Sequence, residues 1–150
     1  MTQYTTIPAG YRISVTSWEN DADNYRTECL EGLSKEVVSF YVDFSKLFTS
    51  KNNRSDKGFG NLYEPNDSER QALTNAFTKV VEKHKDTFLA LCKDWNYDET
   101  PTDEEYQDIC YELHHELFGG SEYFYTRVLD SYKVEYTPTE VRLEDVTYQF

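Results

Sequence analysis

Long apolar runs are absent: the longest stretches in this 150-residue chain are only a few residues, far short of the roughly 18–20 needed to cross a bilayer. The opening "MTQYTTIPAGYR" lacks the charged-then-apolar layout of a signal peptide, so a cytoplasmic protein is expected, with no membrane partner. Cysteines are few. Cys29, Cys92 and Cys110 are odd in number, widely spaced and without a CxxC pair, which fits reduced thiols filling a core rather than a disulfide framework or a zinc knuckle. Also missing are the GxSxG elbow, the phosphate-cradling GxxxxGK[ST] loop, GxGxxG and HExxH, and "KGFGN" has two glycines with no Lys-Ser or Lys-Thr after them. No signature of a hydrolase or nucleotide-binding enzyme is left, and a non-enzymatic protein without a cofactor is expected.

The most informative absence is of positive charge. From Asp94 to Glu122 there are ten acidic side chains and no Lys or Arg. The formal net charge is −13, and it is unevenly spread: residues 1–45 carry three basic and seven acidic groups, residues 46–93 nine and six, and residues 94–150 three and fifteen. A solvated helix normally mixes signs to gain support between positions i and i+4, and this segment does not. Direct binding to nucleic acid is therefore not expected.

What is present is a set of large rings, with 13 Tyr and 9 Phe, enough to build one aromatic core. The length suits a single domain, residues 1–150. "YRISVTSW" alternates, placing Tyr11, Ile13 and Val15 on one face, and "NYRTECLEG" follows as a second strand, so the two predict a hairpin. From Ser34, a plausible N-cap, the apolar spacing turns helical through Phe48. A polar loop spans about 49–65 and carries Lys51, Arg54 and Lys57. A long helical stripe then runs from Asn66, with Glu69 completing a capping box, to Trp95, with a slip of phase near residues 85–87.

"TPTDEEYQ" marks the best-defined helix start, with Thr102 and Glu105 as a capping box, and Gly119-Gly120 ends that helix. Residues 121–131 fit either strand or helix. Tyr132, Val134 and Tyr136 alternate, Pro138 interrupts, and alternation resumes from Val141 to Phe150. The order predicts an α+β domain: a largely antiparallel sheet of about four strands covered by about three helices.

Several residue groups invite a chemical reading. In "SWENDADNYRT", Glu19, Asp21 and Asp23 fall at alternate positions like the first half of a calcium loop. The sixth position is then Asn24 and the twelfth Leu30, where that loop needs Gly and a bidentate Glu, so a hairpin turn is preferred to a metal site. In "CYELHHELFGG", Cys110 and His114 share a helical face, as do Glu112 and Glu116, but two ligands do not make a zinc centre. His114 and His115 are candidates for tuning charge near neutral pH.

The remaining candidate is the acidic lobe: Asp98, Glu99, Asp103, Glu104, Glu105, Asp108, Glu112 and Glu116, interleaved with Tyr97, Tyr106 and Tyr111 and followed by Tyr123 and Tyr125. Such a surface suits a partner whose basic cleft normally holds phosphates. A homodimer is another arrangement the charge pattern allows, with the basic loop of one copy against the acidic lobe of another.

At "YRISVTSWENDADNYRT", followed by a Gly and an aromatic amphipathic helix, the chain resembles small uncharacterised acidic proteins encoded by tailed bacteriophages. The resemblance covers about the first third and transfers no site residue. It implies a setting, the bacterial cytoplasm, and a role as a binder of a host enzyme or defence factor, in some cases by imitating DNA. A module binding a small molecule or metal through the Glu19, Asp21 and Asp23 turn and the basic loop is the alternative.

Overall fold

The alternating stretch forms strand β2, Gly10–Glu19, which is hydrogen-bonded on both sides in a computed structural model that describes residues 3–19, 24–48, 66–97, 100–119 and 127–145. On one side lies β3, Asn24–Leu33, joined as the predicted hairpin with Glu19 opposite Asn24. On the other lies β4, Arg127–Thr137, also antiparallel, so the sheet order is β3-β2-β4. The α+β class is as expected, with more elements than predicted. A short strand β1, Gln3–Ile7, pairs with β5, Val141–Asp145, and prolongs the β2–β4 ladder as a two-stranded ribbon. Only Ile7 and Tyr4 interrupt the polar residues of β1, so its sequence carries no alternation to read.

The helical stripe after Ser34 becomes α1, Lys35–Ser45, continued by a 3-10 turn, Lys46–Phe48. Ser34 caps it by accepting from the Val37 N–H at 3.2 Å. The long stripe from Asn66 splits as its phase slip suggests, into α2, Asp67–Lys83, and α3, Lys85–Asp94. The break falls at His84, whose Nε2 lies 2.7 Å from Asp43 Oδ2 on α1, with Lys83 Nζ 2.8 Å from the same oxygen. Burial alone would raise the Asp43 carboxyl, but Lys83 and His84 outweigh it and hold the group below its usual range. One helix is divided where a third helix anchors it.

Both predicted capping boxes are formed, Asn66 with Glu69 and Thr102 with Glu105. The second opens α4, Asp103–Phe118, which closes at Gly119 in the left-handed conformation, φ 82°. A Cβ on Gly119 would collide with the Glu28 and Arg26 side chains. Arg26 on β3 donates to the Gly119 carbonyl, so a cation sits at the negative end of the α4 dipole.

The core lies between the helices and one face of the sheet, and it is built from rings. Phe44 and Phe77 meet edge to face at 5.5 Å, Phe77 and Phe88 at 6.0 Å, and Phe88 stacks on Tyr106 at 5.8 Å. Ile13 and Val15 of β2 close it from below, joined by Ile109, Leu113 and Leu117 of α4. Tyr11 is only half-buried. Tyr132, Val134 and Tyr136 stand opposite Val15, Ile13 and Tyr11, hence on the same face, yet they are exposed, because the helices do not extend over that edge.

Removal of the capping hydroxyl in Thr102→Ala is expected to cost about 1 kcal/mol in urea denaturation. Gly119→Ala should cost more, because it adds a left-handed strain and a collision to the same helix; equal midpoints for the two variants would contradict this account of its end.

Candidate functional site

Helix α4 gathers much of the acidic lobe. Glu104, Asp108, Glu112 and Glu116 follow one another at i+4, with Asp103 and Glu105 in the first turn. Asp103, Glu104, Asp108 and Glu112 are exposed, whereas Glu105 and Glu116 are half-buried. Among the described residues no Lys or Arg lies within ion-pair distance of these six carboxylates, and the described ion pairs are those at Asp43 and between Lys133 and Glu135. Like charges at i and i+4 cost roughly 0.2–0.5 kcal/mol per pair, so the row is a mild strain on α4.

Two of the six have structural work. Glu105 Oε1 accepts from the Thr102 N–H at 3.1 Å and completes the cap. Glu116 lies against α1, where burial, with Glu112 adding to it, raises its carboxyl above the usual value. Burial, then the Glu116 charge, pushes the Tyr41 phenol up to about 12. The other sequence candidates divide. Asp94 belongs to a separate groove between α1 and α3, beside Val37, Phe40 and Leu91. Glu135 pairs across from Arg12 on the sheet face turned away from the helices, so it does not extend the α4 row. Asp98, Glu99, Tyr123 and Tyr125 lie outside the described residues, as do Asp21, Asp23, the Glu19 side chain and the basic loop. Among the described residues no group of three His, Cys, Asp or Glu side chains is placed to hold a metal ion.

Beside the acidic row, α2 and α4 enclose a cleft of about 350 Å³. Leu73 and Cys110 supply apolar lining, Asp108 and Glu112 supply carboxylates, and Tyr97, Tyr111, Arg70 and Gln107 complete it. Tyr97 arrives there through the end of α3. Asn96 takes the left-handed conformation, φ 62°, its N–H reaches Lys93 O, and the Tyr97 N–H bonds Cys92 O at 2.8 Å, the two bonds of a Schellman turn. Burial, then Asp108, Glu112 and Glu105, raises the Tyr97 phenol. Sequence reading placed Tyr97 among the acids but missed Arg70 and Gln107, which only the packing of α2 on α4 brings to the cleft.

No family model, no curated protein and no solved structure matches the chain. The row and its cleft are therefore read on their own chemistry.

A polar junction fixes how α4 sits. Arg127 is 1% exposed, and its guanidinium donates to Ser17 Oγ at 3.1 Å. Ser17 Oγ in turn donates to the Phe118 carbonyl at 3.2 Å, and His114 Nε2 lies 3.0 Å from the Arg127 carbonyl. A carbonyl only accepts, so Nε2 carries the proton. Burial, followed by the charges of His115 and Arg127, lowers His114 to about 3 despite that hydrogen bond. His114 is therefore not the neutral-pH switch that its unperturbed value suggested; it stays uncharged, and His115 alone of the two is exposed.

The cysteines also divide. Cys92 and Cys110 are buried as expected, but Cys29 is exposed on the outer face of β3. Its Sγ lies 3.2 Å from Ser14 Oγ and 3.4 Å from Arg12 Nη2, and these hydrogen bonds, Ser14 first and Arg12 second, lower the thiol. The hairpin register sets Ser14 opposite Cys29, so counting back from Trp18 and Tyr25 would have found the pair.

Because the folded state holds His114 neutral to about 3 while an unfolded histidine takes up its proton near 6.5, the unfolded chain binds more protons between those values. Its contribution to stability is complete above the unfolded value and declines on acidification. Between pH 7 and pH 5 this loss should reach roughly 2 kcal/mol, and it should be absent from His114→Gln in matched denaturation curves. Among the three thiols, Cys29 should react first with a disulfide reagent at neutral pH, and Arg12→Gln should slow it; equal rates in the two proteins would remove Arg12 from its activation.

Proposed function

We propose that the chain is a binding protein that uses the exposed face of α4 to occupy a basic surface on a host protein, a nucleic-acid-handling or anti-phage defence factor. The observation that carries the reading is the i+4 row of carboxylates with no cation of the described chain paired to it. From Asp103 to Glu116 the helix rises about 20 Å at 1.5 Å per residue. A single DNA strand lays down about six phosphates over that length at one per 3.4 Å, and α4 sets four exposed carboxylates, Asp103, Glu104, Asp108 and Glu112, against them. The match is to one strand edge rather than to a whole duplex. A partner's groove lined for a phosphate backbone meets there a row of similar charge on a rigid rod.

The cleft beside the row supports the same reading. Its two carboxylates, Asp108 and Glu112, outnumber its one cation, Arg70, and with the rings of Tyr97 and Tyr111 suit an arginine or lysine side chain from the partner, since a cation gains both from ion pairing and from the ring faces. The resemblance of the N-terminal stretch to tailed-phage proteins supplies the setting. Among the described residues no helix is long and apolar enough to cross a membrane.

The test is capture from bacterial lysate at low and at physiological salt, with the wild-type chain and with Glu104→Gln, Asp108→Asn and Glu112→Gln combined. A partner bound through this face should be retained at low salt, reduced by the higher salt and by the triple variant, and displaced by duplex DNA. Capture that ignores both salt and the substitutions, or no capture at all, would overturn the reading.

A further inference from the structure

Strand β4 ends the three-stranded sheet, and among the described residues no strand other than β2 pairs with it. An open strand edge is a template for another strand, and edges kept single are guarded by proline, by a bulge, by charges aimed inward or by charged side chains, lysine above all, along the edge. From residue 131 to residue 137 β4 has no proline, bulge or inward charge: Pro138 follows it, the register shift at Asp130 precedes it, and its two charges face outward; Lys133 is its one guard, and Glu135 two residues on offers a matching strand the opposite sign. Along this stretch Tyr132, Val134 and Tyr136 stand on the helix side at 40%, 37% and 59% exposure, and Lys133 and Glu135 alternate with them on the outer face. Among the described residues an edge and an apolar stripe are open together.

We propose that this edge pairs antiparallel with the same strand of a second copy of the chain, about a two-fold axis through Val134. Such a pairing places residues at equal distances from the axis opposite one another. Lys133 then faces Glu135 of the partner subunit and Glu135 faces Lys133 of the partner subunit, so both charges are answered twice. On the other face Tyr132 meets Tyr136 of the partner subunit, and Val134 lies on the axis against its own copy. These are aromatic, aliphatic and opposite-charge cross-strand pairs, the kinds that stabilise sheets. Neighbouring registers fail. Moving the axis to position 133 sets lysine against lysine, and moving it to 135 sets glutamate against glutamate, whereas a half-step would turn each apolar residue to the wrong face.

The register is thus specified by the strand itself. The rings already have support within each subunit: Tyr136 packs on Tyr11 at 4.7 Å between centroids, and Lys46 Nζ lies 5.8 Å over the Tyr132 ring. Pairing would join these into one aromatic row across the axis and the two sheets into a continuous six-stranded one. An interface built on one strand edge belongs to the small class, below about 1,200 Å², so a reversible dimer is expected.

Sedimentation equilibrium across the micromolar range tests this, with circular dichroism to confirm the fold of each variant. Wild-type chain should dimerise reversibly, and Lys133→Glu or Glu135→Lys alone should weaken the dimer by about tenfold or more, because each places like charges opposite one another twice. An equimolar mixture of the two single variants should form a mixed dimer, since one strand then carries two glutamates and the other two lysines, and the chain bearing both substitutions should again pair with itself. A wild-type chain that stays monomeric at every concentration would overturn the proposal. So would a dimer indifferent to the charge reversals, or single variants that the mixture fails to rescue.

Discussion

The junction of Arg127, Ser17, His114 and the Phe118 carbonyl is the constraint on which the rest of the molecule depends. It ties the start of β4, the last third of β2 and the last turns of α4 into one buried set of hydrogen bonds. A guanidinium withdrawn from water is costly to place, and removing a partner from it costs more than the pair itself contributes, so each member constrains the others. Its effect is orientational. With Phe118 and His114 held inward and Arg26 gripping Gly119, α4 cannot turn about its axis, and its charged side is kept facing solvent.

That orientation explains why a helix with so much negative charge is stable. Its apolar side, Ile109, Leu113 and Leu117, buries against a core of phenylalanines that meet edge to face, and each large aliphatic or aromatic group so buried contributes about 1.5–3 kcal/mol. Repulsion along the exposed row is small beside this. The first-turn acids even help, because Asp103, Glu104 and Glu105 sit at the positive end of the helix dipole. The charge row is therefore inexpensive for the fold and available for contact. The two proposed surfaces are separate: the α4 row lies on the helical layer, whereas the open edge of β4 belongs to the sheet.

Much of this was legible in the sequence because it is local. Caps at Ser34, Asn66 and Thr102, the glycine stop at 119 and the alternation of β2 each depend on residues within one turn or one strand, and each formed as predicted. The phase slip in the long stripe correctly announced a break, though its position at His84 was decided by Asp43 on another helix. Chain-local patterning also determined that α4 would carry acids at i+4 along one side.

Tertiary structure alone decided what those patterns mean. Alternation of Tyr132, Val134 and Tyr136 reads as a buried face, yet these residues are exposed while Arg127 and Val128 at the start of the same strand are buried, and the reach of a layer is no property of the strand it covers. His114 and His115 are neighbours with the same intrinsic chemistry; only packing makes one a neutral core group and leaves the other in water. Cys29 looked like core filler until the hairpin set Ser14 and Arg12 beside it on the open side of the sheet. The sequence by itself determined the elements, their ends and the sign of their charge, since these arise from interactions between near neighbours. Which faces were buried, and which titratable groups lost contact with water, was determined by contacts between residues far apart in the chain.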